Sequence, residues 1–193
     1  MGGTQEFTST YGRWLTGAAA AAAVIALVSV LVIDGVAEAL QLVPLLALIV
    51  LLVWALFWNP AVEVSDGEVV VRNVTATVRI PWPAYRGVTV KYSLVVHTTG
   101  SDVTAWAAPR SSGTAQRLRR RRAVTGPLGP GRHNANADRV ADAIVERQAA
   151  LKDAGYLKDA QRAVAAGIGP QRRWHWLTIT GVVVLAAASF ALI

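Results

Sequence analysis

Arg117 and the consecutive Arg119, Arg120, Arg121 and Arg122 are the densest set of chemically competent side chains in the chain. A guanidinium is permanently charged and pairs with phosphate oxygens in a planar fork. Beside a membrane, each such residue contributes about 1 kcal/mol of attraction to anionic headgroups. These five residues are therefore candidate anionic-lipid contacts, and the equal alternative is a cluster that only enforces topology or stays solvated. Nucleic-acid binding is not expected, because no aromatic or groove-entering element is interleaved with the arginines.

Other chemistry is sparse. The three histidines are His97, His133 and His175. His97 falls in a strand-like run with no acidic residue or second histidine at ligand spacing, His133 in a loop, and His175 among tryptophans. A metal site needs several converging ligands, so none is expected. The serines lack a Gly-x-Ser-x-Gly turn. The glycine- and proline-rich 126–131 has no Gly-Lys-Ser/Thr ending, so it is not a phosphate-binding loop. Asp66 and Asp102 sit in turns, where aspartate is favoured by local backbone bonding. Cysteine is absent, which removes thiolate nucleophiles, thiolate metal sites and disulfides. No catalytic residue, cofactor or metal is expected. A membrane enzyme is kept as a remote alternative.

The elements that carry these residues begin with apolar runs. Of 193 residues, 53% are hydrophobic, and the formal charge of +7 comes mainly from 16 arginines. Residues 15–33 and 40–58 are uncharged runs of 19 residues each, about 28 Å of helix at roughly 1.5 Å per residue, close to the hydrocarbon thickness. Residues 177–193 form a third, shorter run. The expected order is an N-terminal segment 1–14, transmembrane helix 15–33, external turn 34–39, transmembrane helix 40–58 and transmembrane helix 177–193. Pro44 then falls in the first turn of the second helix, where a missing N–H costs little.

Asp34 and Glu38 lie in the short turn, whereas Arg13, Arg172 and Arg173 flank the spans on the other side. The positive-inside rule places the N-terminus and residues 59–175 in the cytoplasm, in a multi-pass protein of the cell membrane. Trp14, Trp54, Trp58, Trp174 and Trp176 fall at the cytoplasmic span ends, where indole rings favour the headgroup level. With Arg172 and Arg173 they are the expected membrane-interface anchors. The Ala37-Glu38-Ala39 run also resembles a signal-peptide cleavage site, but the span that follows at once favours an uncleaved hairpin.

Residues 59–109 read as about six short antiparallel strands, punctuated by Ser65-Asp66-Gly67, Asn73, Pro81-Trp82-Pro83 and Thr99-Gly100-Ser101-Asp102. Such a small β-unit needs a helix or neighbour to complete its core. Residues 136–154 offer one, with Asn136 as N-cap, Asp138 in the first turn, Val140, Ile144 and Leu151 on one stripe, and Gly155 as the stop. The helical segment as a whole is 136–168. The intervening 110–135 reads as a basic flexible linker.

The β-patterned segment resembles the bacterial PH-like domain family typified by the mycobacterial low-molecular-weight protein antigen. The resemblance rests on Asn59-Pro60, Asp66-Gly67-Glu68-Val69-Val70-Val71-Arg72-Asn73, Thr77-Val78-Arg79-Ile80-Pro81-Trp82 and Asp102-Val103-Thr104-Ala105-Trp106-Ala107-Ala108-Pro109. The two preceding spans and the Arg173-Trp174-His175-Trp176 approach to a last span add to it. It covers about 50 residues well and the layout loosely. It implies a small all-β PH-like domain, two packed antiparallel sheets closed by a C-terminal capping helix. This sequence departs in lacking a recognisable seventh strand and in placing an arginine-rich insertion before the helix. PH-like modules host lipid binding, peptide binding and scaffolding. The leading expectation is a non-enzymatic membrane protein presenting this domain for interaction with an unknown protein partner. The alternative is anionic-lipid sensing through the domain and its arginine-rich loop.

Overall fold

The computed structural model describes residues 3–109, 131–134 and 136–192. The chain divides into a β-rich unit, residues 1–8 and 60–173, and a helical unit, residues 9–59 and 174–193.

The β-unit contains six antiparallel strands where turn residues punctuate the sequence. They are β2 (Ala61–Val64), β3 (Glu68–Arg72), β4 (Ala76–Pro81), β5 (Tyr85–Val90), β6 (Ser93–Thr98) and β7 (Val103–Pro109). Alternation sets the buried face: in β4, Ala76, Val78 and Ile80 are buried while Arg79 faces out. The Ser65 turn is locked from both sides, because its Oγ donates to the Glu68 carbonyl at 2.9 Å and accepts from the Glu68 N–H at 3.2 Å. Pro81 ends β4 and a short 3-10 turn, Trp82–Ala84, redirects the chain into the second sheet.

Three strands lie outside residues 59–109. They are β1 (Gln5–Thr8), β8 (Gly131–Asn134) and β9 (Gln171–Trp174). The sheet order is β8-β1-β2-β3-β4-β9, with β5-β6-β7 as a separate sheet. Strand β1 pairs antiparallel with β2, Thr8 opposite Ala61, and parallel with β8. The expected N-terminal segment and linker thus each contribute a strand. Gln-Glu-Phe-Thr carries one large apolar residue, and its strand character comes from pairing rather than from pattern. That residue, Phe7, is fully buried in the core with Val62, Val71, Ile80, Leu94 and Val96.

Helix α3 (Ala137–Asp153) covers the sheets, packing on β2, β5, β6 and β7. Asn136 caps it by accepting the Asp138 N–H at 2.9 Å. Val140, Ala143, Ile144 and Leu151 face the core. The helix stops at Gly155, φ +81°, where Gly155 N–H reaches the Lys152 carbonyl and Tyr156 N–H the Leu151 carbonyl, each at 3.0 Å. This is a Schellman closure, which needs the left-handed conformation glycine adopts without strain. A short helix α4 (Ala160–Ala165) follows.

The helical unit contains α1 (Thr10–Ile33), α2 (Val36–Val53) continued by a π-turn at Trp54–Trp58, and α5 (Trp176–Leu192). Helices Thr10–Ile33 and Val36–Trp58 are long and apolar enough to cross a membrane, while α5 is a shorter apolar helix. Both long helices extend beyond the apolar runs, because a helix needs no apolar residue at Thr10 or Glu38 to close its hydrogen bonds. The connection is only Asp34 and Gly35, the glycine at φ +100°, instead of the turn 34–39. Pro44 consequently lies inside α2, about two turns in, and its ring removes a backbone donor there. Helix α2 packs against α1 and α5. At Gly12 a Cβ would stand 2.0 Å from the Phe57 carbonyl oxygen, so only glycine permits this approach.

Candidate functional site

The candidate site is a groove of about 490 Å³ in the β-unit, walled by the second half of α3 on one side and the Trp82–Pro83 corner on the other. Ala143, Ala150, Leu151 and Ala154 recur on one face of α3 and supply its small apolar wall. Alanines leave space where larger residues would close the gap. The Schellman turn at Gly155 brings Tyr156 and Leu157 back along the groove's end.

The opposite wall is fixed by hydrogen bonding and ring contact. The Trp82 indole N–H donates to the Ser65 carbonyl at 3.0 Å. Its ring meets Tyr85 edge-on, centroids 5.6 Å apart. Tyr85 is buried, and loss of solvation pushes its phenol above the ordinary value. Both aromatic side chains are thereby held in one orientation.

Arg147 joins three parts of this site. Its guanidinium pairs with the Asp66 carboxylate in the β2–β3 turn and donates to the Gly3 carbonyl at 3.1 Å. The Arg147 side chain is 11% exposed and that of Asp66 36%, so the pair is only partly screened. Glu146 stands beside it on the groove's lining and is exposed. The groove therefore combines an apolar floor with a fixed ion pair and one further carboxylate. Such a surface can seat apolar side chains of a partner and orient a neighbouring cation.

Sequence reasoning placed Asp66 in a turn and Trp82 at a strand end, and did not bring either to a site. Asp66 and Arg147 are 81 positions apart, and nothing local relates them. The available signal was the α3 periodicity, which puts Arg147 one helical turn after Ala143.

The expected lipid contacts, Arg117, Arg119, Arg120, Arg121 and Arg122, lie outside the described residues. The interface anchors divide between the units. In the helical unit, Trp54, Trp174 and Trp176 line one open recess with Asn59 and His175, and the Trp174 and Trp176 rings are 6.5 Å apart. The Arg13 guanidinium lies 5.5 Å from the centre of the Trp58 ring. Trp14 and Trp58 are exposed. Arg172 and Arg173 are exposed on β9 in the β-unit.

A comparison with family models, with curated proteins and with solved structures finds no match to this chain.

His97 does have an acidic neighbour. The β6–β7 turn folds Asp102 back so that its Oδ2 lies 2.9 Å from His97 Nδ1, and His97 Nε2 is 2.9 Å from Thr89 Oγ1 across the β5–β6 pair. Linear spacing hid this contact because the hairpin supplies the proximity. The trio is substantially exposed on the outer face of the second sheet, where it acts as a cross-strand polar brace. Among the described residues no cluster of three or more metal-competent side chains occurs.

Proposed function

We propose that this chain is a multi-pass protein of the cell membrane that presents a cytoplasmic, PH-like β-unit as a non-enzymatic docking module for a protein partner. The observation that carries the docking reading is the α3 groove, with its apolar floor and pre-positioned Arg147–Asp66 pair. A fixed wall reduces the ordering cost of binding, which is what a recognition surface requires.

Three features support the wider reading. Two sheets with α3 packed over both support the PH-like reading, with β1 as a candidate for the seventh strand, while β8 and β9 extend the first sheet beyond that plan, β8 in parallel. The apolar helices leave Val32, Ile33, Leu177 and Phe190 mostly exposed, which suits a lipid solvent and not water. Arg13, Arg172 and Arg173 flank the helices on the side opposite Asp34 and Glu38, the charge bias of a cytoplasmic β-unit.

The test is site-directed photocrosslinking in native membranes. A photoreactive residue at Ala154 should give a discrete adduct that is lost when Ala150→Arg fills the groove. The same residue at Arg162, on exposed α4, should not. Equal adducts from both positions, unaffected by Ala150→Arg, would refute the groove as the docking surface.

A further inference from the structure

A second cavity of the β-unit, about 300 Å³, lies where β9 passes the β6–β7 turn. Its charged lining residues are Asp102 and Arg172; Asn73, Ser101 and Thr104 add polar groups, and Val78, Val103 and Pro170 are apolar. Its size is at the lower end of the roughly 300–1,000 Å³ typical of small-ligand pockets.

The walls are built rigidly. Asn73 Nδ2 donates to the Thr104 carbonyl at 2.7 Å and its Oδ1 accepts the Trp106 N–H at 2.8 Å, which clamps the end of β3 to β7. Thr98 Oγ1 donates to the Ser101 carbonyl at 2.9 Å and accepts the Gly100 N–H at 3.1 Å, which fixes the turn. A Cβ at Gly100 would meet Pro170 at 3.2 Å, so this turn sits close against the segment leading into β9. The cavity thus holds one cation and one anion on walls that have little freedom to collapse onto each other.

We propose that this cavity binds a phosphoethanolamine group, with Arg172 on the phosphate and Asp102 on the ammonium. The chemistry selects this class. A purely anionic phosphate would gain Arg172 but face the Asp102 carboxylate. A phosphocholine has no N–H to donate to Asp102, and among the described residues no aromatic side chain lines the cavity to cage a quaternary ammonium. A primary ammonium satisfies the carboxylate directly, and the Ser101 and Thr104 hydroxyls can donate to remaining phosphate oxygens. The group has two sources, a membrane phospholipid or a soluble phosphoethanolamine ester. The lipid source rests on the membrane reading above. Arg172 precedes helix α5 by four residues, about 14 Å of extended chain at most, so a bilayer around α5 would keep the cavity within reach of headgroups.

The test uses the full chain in detergent, with retained ligand read by native mass spectrometry. The ligands are short-chain diacyl phosphoethanolamine, phosphocholine and phosphoglycerol lipids, and soluble glycerophosphoethanolamine. The phosphoethanolamine lipid should be retained at least tenfold better than the other two. Arg172→Gln should abolish retention, and Asp102→Asn should erase the preference over phosphocholine. His97→Gln removes the other partner of Asp102 and should leave binding intact. Equal retention of all three lipids, or preference unchanged in both cavity variants, overturns the site. Soluble glycerophosphoethanolamine should compete; tighter binding of the diacyl form assigns the membrane source, and equal binding assigns the soluble one. If the membrane reading alone fails, the soluble ligand still binds; if the site fails, it does not.

Discussion

The two units differ in what they do with large apolar residues. The β-unit fully buries Phe7, Ile80, Leu94, Ile144 and a set of valines, together with small residues such as Ala84, Ala105 and Ala108. In the helical unit the buried residues are small, namely Gly12, Thr16, Ala39, Ala55 and Ser189, while its large apolar residues are mostly exposed or half-buried. Burial of apolar surface drives assembly of the first, at roughly 25 cal/mol per Å². Close backbone approach distinguishes the second, as at Gly12 against the Phe57 carbonyl. Its hydroxyls follow the same logic: Thr16, Ser29 and Ser189 donate to the carbonyls of Gly12, Ile25 and Leu185 four residues back, so none needs water.

That contrast can be broken most severely at Phe7. Phe7→Ala should destabilise the β-unit by about 3–5 kcal/mol, through lost burial and the cavity left behind. Phe190→Ala, at an 88% exposed position, should change stability by less than about 0.5 kcal/mol. Denaturant unfolding followed by protease protection of each unit checks both. A comparable loss at Phe190 would mean that large residues sustain the helical unit too.

The reciprocal test enlarges a small residue. Gly12→Leu should cost about 1–3 kcal/mol by forcing α1 from the Phe57 backbone, whereas a conservative enlargement on the β-unit's exposed surface should cost little. Loss of a disulfide engineered between α1 and the π-turn, measured as crosslinking yield, reports the displacement. Undiminished crosslinking would sink the close-approach argument.

A smaller effect lies at the start of α3. Asn136→Ala removes the acceptor for Asp138 N–H and should lower β-unit stability by about 1 kcal/mol, leaving the helical unit unchanged. Thermal unfolding of the two units separates the outcomes.

The smallest effect is a titration. Four tyrosines are present, of which Tyr11, Tyr92 and Tyr156 are exposed and Tyr85 is buried. Because burial raises the Tyr85 pKa, its contribution to stability is complete below the ordinary value of about 10 and is lost as pH rises toward and through the folded value. Absorbance titration of the wild type against Tyr85→Phe should show a late tyrosine ionisation that the variant lacks, with β-unit unfolding promoted at that step. A Tyr85 ionisation at the ordinary value would remove Tyr85 from the core.

Much of this division was legible in the sequence, because its signals are local. Unbroken apolar runs locate α1 and α2, turn residues separate β2 to β7, and Asn136 with Gly155 brackets α3. Where the reading failed, the cause was distance along the chain. β1, β8 and β9 are four-residue strands whose partners are remote in sequence: β1 lies between β2 and β8, and β9 beside β4. Pro44 was misplaced because hydropathy marks where a helix is apolar, not where its hydrogen bonds begin. The groove is illegible for the same reason as β1: Asp66 and Arg147 meet only once α3 has closed over the sheets.

The placement of β1 sets an order of synthesis. Gln5–Thr8 leaves the ribosome before both of its partners: β2 follows the whole of the α1–α2 hairpin, and β8 begins 123 positions after Thr8 (131 − 8). At roughly 5–20 residues per second, that second edge waits about 6–25 s for its partner. Until β2 to β7 have emerged Phe7 has no core to enter, and until β8 emerges the second edge of β1 stays unpaired and open to other chains. The α1–α2 hairpin must also form with its two ends returning to the same place, since Thr8 and Ala61 are register partners. Closure of the hairpin is therefore a checkpoint in biogenesis: a hairpin that fails to close leaves the β-unit one strand short.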